Sequence, residues 1–128
     1  MRNFIFCALF LLFTPVMAME AQDSPPDDLV IHNDTLHDLK FMVNEVCLDS
    51  IPLVKSHTLY RVTGAEFQAD CAYNPSNCWV KAFADTCDGK LLASYQMNNE
   101  FGYNYSIPAS GYYVEGSEGF NLFLAELL

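Results

Sequence analysis

Four cysteines constrain this 128-residue chain more than any other feature of its sequence. They are Cys47, Cys71, Cys78 and Cys87, and a fifth, Cys7, falls in an apolar run near the N-terminus. An even number of cysteines in an exported chain of this size is typical of two disulfides. Zinc sites use closely paired cysteines such as CxxC, whereas these four are spaced further apart. The cysteines therefore indicate a small fold stapled by disulfides.

One loop of the sequence favours a particular pairing among the three that four cysteines allow. The segment CAYNPSNC, residues 71–78, places Asn-Pro-Ser-Asn between two of the cysteines. These residue types favour a tight turn, which brings the ends of the segment together. We therefore predict the disulfides Cys71–Cys78 and Cys47–Cys87.

The N-terminal residues predict that the chain is exported. Arg2 precedes an apolar run from Phe4 to Phe13, and Val16-Met17-Ala18 has the residue types that signal peptidase accepts. The run is shorter than the roughly 20 residues that a membrane-spanning helix needs. We predict a signal peptide at residues 1–18, no membrane association after its removal, and a mature chain that is secreted or periplasmic.

The charge of the mature chain excludes some classes of partner. Removing residues 1–18 takes Arg2 from the 6 basic residues and none of the 16 acidic ones, so the net charge falls from −10 to −11 at pH 7. Nucleic-acid binding needs clustered Lys and Arg, and no such cluster is present. Anionic lipid is disfavoured for the same reason. Such a charge is compatible with a cationic partner, or with self-repulsion that keeps copies apart.

Short β-like runs separated by turn residues follow an acidic leader, MEAQDSPPDD, at residues 19–28. Alternating apolar and polar residues and dividing Gly and Pro predict about seven strands: Leu29–His32, Asp38–Val43, Thr58–Val62, Trp79–Ala84, Lys90–Met97, Gly111–Glu115 and Phe120–Ala125. A short helix is expected at Gly64–Cys71. With the disulfides, this pattern predicts an all-β fold, a disulfide-stapled antiparallel β-sandwich, forming one domain over residues 29–128.

The segment IHNDTLHD, residues 31–38, is a candidate metal site. If the first two strands form a hairpin, its loop is Asn33–His37 and the two histidines flank the turn. A transition metal needs three or four ligands. The candidate ligands are His32, Asp34 and His37, with Asp38 or His57 as further donors. The same residue types also suit a plain polar turn, which is the favoured interpretation.

Residues 98–120 combine aromatic rings with Gly, Asn and Ser and carry few charges. Binding loops for protein or glycan partners have this composition. The candidate binding residues are Phe101, Tyr103, Tyr105, Tyr112 and Tyr113. The alternative is that the rings line the sandwich core. Alternation along a strand places Tyr103 and Tyr105 on one face, and Tyr112 and Tyr113 on opposite faces.

Catalytic motifs are missing from the sequence. No serine lies in a GxSxG elbow, and there is neither a GxGxxG nor a Walker loop. Sixteen acidic residues make chance carboxylate pairs certain, so no pair stands out for acid–base catalysis. We predict a non-enzymatic binding protein with no cofactor and an unknown protein or glycan partner. The alternatives are a metal-binding protein and a small hydrolase with an unrecognised site.

Several spacings of the mature chain carry a family resemblance. They are IHNDT (31–35), VNEVC (43–47), FQADCAYNPSNC (67–78), CDG (87–89), Gly111-Tyr112 and Gly119-Phe120. In this order they resemble small exported four-cysteine proteins of Legionella-like intracellular bacteria, over nearly the whole mature chain. The resemblance implies a bacterial periplasmic or secreted protein. It implies no activity, cofactor or catalytic residue.

Overall fold

The structure is a computed structural model and describes residues 27–127. The predicted signal peptide, most of the predicted leader and Leu128 lie outside the described residues. The boundaries proposed between signal peptide, leader and domain therefore stay predictions.

Two β-sheets make up the described part of the chain. The first has the strand order β4-β1-β9-β8 and the second the order β3-β2-β5-β6-β7. The elements are β1 (Leu29–Asp34), β2 (Leu39–Val43), β3 (Val46–Cys47), β4 (Thr58–Val62), α1 (Gly64–Asp70), β5 (Cys78–Ala84), β6 (Leu91–Asn98), β7 (Gly102–Pro108), β8 (Tyr112–Tyr113) and β9 (Asn121–Glu126). The predicted all-β, disulfide-stapled sandwich is confirmed. Beyond the prediction, β3 and β7 are additional strands, and β1 and β9 run parallel.

The core lies between the two sheets, and every second side chain along a strand such as β2 points into it. On β2, Leu39, Phe41 and Val43 are buried while the residues between them are partly exposed. The first sheet contributes Leu122 and Leu124 from β9. Burial of each such side chain stabilises the fold by about 1.5–3 kcal/mol. Apolar alternation, rather than any long helix, therefore holds the domain together.

The seven-residue helix α1, about two turns long, closes one part of the core. The Thr63 hydroxyl accepts a hydrogen bond from the Glu66 backbone N–H at 3.2 Å and caps the start of α1. Phe67, on the inner face, is 1 % exposed. The helix ends at Cys71, which bonds to Cys78 at the start of β5. The predicted helix and this predicted pairing are both confirmed.

The second predicted disulfide, Cys47–Cys87, is also confirmed. It spans 40 residues of sequence, whereas Cys71–Cys78 spans 7. In the chain-entropy model, the long loop contributes about 4 kcal/mol and the short loop about 2.5 kcal/mol to stability.

The predicted hairpin of the first two strands is wrong. β1 pairs with β4 and β9, and β2 pairs with β3 and β5, so the two strands belong to different sheets. The connecting segment crosses between the sheets, and Asn33 holds it there. The Asn33 Nδ2 lies 2.8 Å from the His37 carbonyl oxygen and 2.9 Å from that of Val54, and the residue is 2 % exposed. The polar residues that indicated a hairpin turn instead satisfy the backbone of this crossing.

Candidate functional site

Most of the predicted binding loop is the strand β7, the edge strand of the five-stranded sheet. Tyr105 pairs with Gln96 and Tyr103 pairs with Met97, so Asn104 is an extra residue in β7. Such a β-bulge breaks the alternation of side chains between the faces. Tyr103 contacts buried Tyr95, whereas Tyr105 packs beside partly exposed Trp79. The expectation that Tyr103 and Tyr105 share one face is therefore wrong.

Tyr103 and Tyr112 belong to the inner side of the sandwich. The Tyr103 ring lies 6.3 Å from the Tyr95 ring in an edge-on arrangement, and its hydroxyl lies 2.7 Å from Ser106 Oγ. Tyr112 is part of the buried core, while its neighbour Tyr113 is exposed, as adjacent strand residues should be. Burial, with a smaller contribution from Glu126, raises the pKa of Tyr112. These two rings support the fold.

The outer face of the five-stranded sheet carries two aromatic rings and one aliphatic side chain, which we call the outer aromatic face: Trp79, Tyr105 and Ile107. The Trp79 and Tyr105 rings meet at 5.6 Å and 90°. Tyr105 is 48 % exposed and Ile107 59 % exposed. Cross-strand pairing sets their places, because Gln96 lies between Trp79 and Tyr105 in one row of the sheet. The result is an apolar surface, open to solvent, that extends across β5, β6 and β7.

Side-chain amides hold this face in position. Asn104 Nδ2 donates to Gln96 Oε1 at 2.9 Å, and Gln96 Nε2 donates to Asn77 Oδ1 at 2.6 Å. On the other side, Asn44 Oδ1 accepts a hydrogen bond from the Trp79 backbone N–H at 3.1 Å. Gln96 is buried although it points outward, because its neighbours cover it. The rings therefore stand on a connected polar layer, and this rigidity suits recognition.

A shallow groove of about 310 Å³ runs along the outer aromatic face. It is lined by Glu45, Trp79, Lys81, Ser94 and Ile107. Lys81 Nζ lies 2.6 Å from Glu45 Oε2, so the two charges are paired. The groove thus offers one ring, one aliphatic side chain, a hydroxyl and a closed ion pair.

Sequence reasoning missed Trp79, Gln96 and Ile107 as members of this face. A signal was present, because Trp79 precedes Val80 in a strand whose alternate residues are buried. A tryptophan at an outward position of a strand is a mark of a surface with a function. These residues come together because β5, β6 and β7 pair side by side, and the local sequence pattern does not predict that pairing.

The other predicted rings lie elsewhere. Phe101, 74 % exposed, is in the turn between β6 and β7, where Asn98 Oδ1 accepts from its backbone N–H at 3.1 Å. It borders a cleft of about 670 Å³ that also contains Arg61 and Glu100. Tyr113 lines a different cleft with Glu126. The structure therefore divides the five predicted binding residues among the core, the outer aromatic face and two further places.

The predicted metal ligands are not assembled as one set. The His32 ring stacks on Phe123 at 4.0 Å, and His57 Nδ1 lies 2.9 Å from Asp34 Oδ1. His37 lies 6.4 Å from the Tyr112 ring and does not line the groove that contains His32, Asp34 and His57. Within residues 27–127, no three His, Cys, Asp or Glu side chains form a group that could hold a metal ion.

Asp38, a further predicted donor, has its own partners. The Ser56 backbone N–H donates to its carboxylate at 3.0 Å, and Lys55 Nζ lies 3.3 Å away. The Ser56 hydrogen bond first, and then Lys55, hold the pKa of Asp38 below its usual range. This carboxylate fixes the crossing segment, and metal binding by the histidines stays a prediction.

Comparisons with known proteins point to a fold and not to a family. No family model matches the chain, and no curated protein matches it. Among solved structures, it is similar to the crystal structure of the Legionella pneumophila type II secretion system substrate NttC. The TM-score is 0.62 at 15 % sequence identity, covering 79 % of this chain and 98 % of that chain. The likeness shows a shared fold.

The two disulfides fit a secreted or periplasmic protein, because such bonds persist in oxidising compartments. In the part of the chain that the structure describes, no helix has the length and apolar character needed to cross a membrane.

Proposed function

We propose that the chain is an exported, non-enzymatic binding protein whose partner docks on the outer aromatic face. The likeness to NttC, itself a type II secretion substrate, and the two disulfides support export. The observation that carries the binding proposal is the pair of partly exposed Trp79 and exposed Tyr105, held by amides near an edge of the sheet. Rings kept in solvent on a rigid support cost hydration free energy that a partner would recover.

The chemistry of the face favours a neutral sugar chain as that partner. Sugar rings stack on aromatic faces, and their hydroxyls bond to amides, hydroxyls and charged side chains. All of these line the groove or its border, in Trp79, Ser94, Asn104 and the Lys81–Glu45 pair. The excess of negative charge in the mature chain opposes an anionic polysaccharide. A neutral oligosaccharide combines the features that this surface can bind.

Trp79 provides a direct test, because it is the sole tryptophan of the sequence. Its fluorescence is followed while the mature protein is titrated with neutral oligosaccharides (glucans, mannans and chito-oligosaccharides) and with the anionic polysaccharides heparin and hyaluronan. We expect a saturable change in emission with at least one neutral series and none with the anionic chains. If none of these saccharides changes the Trp79 emission, the assignment of a glycan partner is overturned.

Variants decide whether the face itself is responsible. Tyr105→Ala and Ile107→Ala remove exposed side chains from the outer aromatic face. Each should weaken binding by about 10-fold, since the stacked ring of Tyr105 and the buried apolar area of Ile107 would each contribute about 1 kcal/mol or more. Tyr113→Ala is the matched control, because Tyr113 is also an exposed tyrosine but lines another cleft. Equal losses in Tyr105→Ala and Tyr113→Ala would contradict the assignment of the binding site.

A further inference from the structure

The two disulfides differ sharply in their access to solvent. Cys71 and Cys78 are both 0 % exposed and belong to the core. Cys47 is exposed and Cys87 partly exposed. Thiol–disulfide exchange needs a thiolate to reach a sulfur atom, so access decides which bond reacts in the folded protein. Of the two disulfides, only Cys47–Cys87 offers that access.

The exposed disulfide lies in an open groove of about 610 Å³. Met42 and Leu53 provide apolar lining, and the charged lining residues are Lys40 and the acidic Glu45, Asp85 and Asp88. Among the described residues, Glu45 is paired with Lys81, while no ion pair involves Asp85 or Asp88. The groove has room for a small thiol, and its three acidic residues outnumber its one lysine.

Both cysteines of this disulfide follow tight turns. Asn44 and Glu45, at φ of 49° and 69°, form the two-residue turn between β2 and β3, and a type I′ hairpin turn needs positive φ at both of these positions. Asp85, two residues before Cys87, has φ of 68°, a conformation that aspartate adopts more readily than most residues. The turn around Cys87 is closely packed, since a Cβ at Gly89 would meet the Ala84 carbonyl oxygen. The disulfide therefore joins two turn segments.

Each element joined by the disulfide has its own attachment to the fold. Cys47 lies on β3, a two-residue strand at the edge of the sheet that pairs only with β2, and the next residue, Leu48, donates its backbone N–H to the Phe41 carbonyl oxygen at 3.1 Å. Cys87 lies in the turn between β5 and β6, where the Asp85 N–H donates to the Asp38 carbonyl oxygen at 2.8 Å. Breaking the bond would leave these attachments, the main sheet pairings and the Cys71–Cys78 bond in place. Opening would therefore be local.

We propose that Cys47–Cys87 is a thiol-exchange site that a dithiol reductant opens in the folded protein. A thiolate of the dithiol attacks Cys47 Sγ, the S–S bond breaks, and the electron pair leaves on Cys87 Sγ, which takes up a proton. The second thiol of the reductant then attacks the mixed disulfide, releases Cys47 as a thiol and closes its own disulfide. Two electrons and two protons pass from the dithiol to the cysteine pair.

The test is partial reduction of the mature protein without denaturant. Dithiothreitol is added, free thiols are blocked with an alkylating reagent at successive times, and the blocked cysteines are mapped by mass spectrometry. We expect Cys47 and Cys87 to be blocked at least ~100-fold faster than the buried pair, since the buried bond is reached only through unfolding. Simultaneous opening of both bonds, or earlier opening of Cys71–Cys78, would overturn the proposal.

A destabilised variant separates direct attack from attack on unfolded chains. Leu122→Ala removes a core side chain that is 1 % exposed and far in sequence from both disulfides. It should speed the opening of Cys71–Cys78 and leave the rate at Cys47–Cys87 unchanged. If both rates rise together, the exposed bond also opens only through unfolding, and the site does not exist.

The excess of acidic residues in this groove predicts a charge preference. Cysteamine, a cationic thiol, should form the mixed disulfide at Cys47 several-fold faster than the anionic mercaptoethanesulfonate, and high salt should reduce the difference. In Asp85→Asn/Asp88→Asn the preference should shrink. An unchanged preference in this variant would show that the groove does not receive the thiol.

Discussion

The two faces of the five-stranded sheet use aromatic rings in different ways. On the inner face, Tyr95 is 1 % exposed and its hydroxyl donates to the Phe123 carbonyl oxygen at 2.7 Å. On the outer face, Tyr105 is 48 % exposed and its ring meets Trp79. The inner ring of Tyr95 connects the two sheets, whereas the outer rings contact each other on the solvent side of one sheet. The bulge at Asn104 therefore places Tyr103 on the inner face and Tyr105 on the outer face of the same strand.

The largest effect should come from Tyr95→Ala. The substitution removes a fully buried ring and leaves a cavity between the sheets, so we expect the free energy of unfolding to fall by about 3–5 kcal/mol. Denaturant unfolding followed by circular dichroism measures it. A loss of stability as small as that expected for substituting a surface residue would contradict the distinction between the two faces.

Tyr103→Ala should have the next largest effect. Tyr103 is partly exposed, but its ring packs on Tyr95 and its hydroxyl bonds to Ser106. We expect a loss of about 2 kcal/mol in the free energy of unfolding, with unchanged secondary structure. Loss of glycan binding without loss of stability would place Tyr103 on the binding surface after all.

Alkaline pH should destabilise the inner face. Burial, and then Tyr103, raise the pKa of Tyr95 above that of a tyrosine in the unfolded chain. Above about pH 10, the Tyr95 hydroxyl therefore loses its proton in the unfolded chain but keeps it in the folded chain. The free energy of unfolding is unaffected by this group below that pH and falls as the pH rises above it. We expect Tyr95 to account for about 1.4 kcal/mol of lost stability at a pH of about 11. Stability is measured by denaturant unfolding at neutral and alkaline pH.

Tyr95→Phe is the control for this pH effect. It removes the titrating hydroxyl and its hydrogen bond to Phe123, at a cost of about 1 kcal/mol at neutral pH. The alkaline decline should then be shallower than in the wild type. A decline of the same slope in both proteins would assign the effect to other groups.

The smallest effect on stability is expected for Tyr105→Ala. Because nearly half of this side chain is in solvent, its truncation should change the free energy of unfolding by less than about 1 kcal/mol. The same denaturant titration as for Tyr95→Ala provides the comparison. A loss equal to that of Tyr103→Ala would mean that the outer ring is structural.

Local sequence patterns were sufficient for much of the fold. Alternation located most strands, and the Asn-Pro-Ser-Asn turn predicted the Cys71–Cys78 pairing. Thr58–Val62 has the predicted bounds, and the helix begins at Gly64 as expected. These features depend on residues close together in the chain, where turn chemistry and side-chain period are decisive.

Long-range pairing explains what the sequence could not predict. The parallel pairing of β1 with β9 joins segments far apart in the chain. Asn33 bonds within the crossing segment, at His37, and also to the distant carbonyl oxygen of Val54, which a local turn pattern does not indicate. The bulge at Asn104 is set by register against β6 and leaves no mark in the alternation of Tyr103 and Tyr105. For that reason the rings were recognised as candidates, while their division between the faces was not.

The most direct test of the outer aromatic face is amide-resolved NMR of the isotope-labelled mature protein during titration with the neutral oligosaccharide that gives the strongest Trp79 response. The account predicts that shift changes concentrate at Trp79, Gln96 and residues 104–107, with little change in β1 and β9. Changes centred instead on His32 and His57, or spread over the four-stranded sheet, would contradict it.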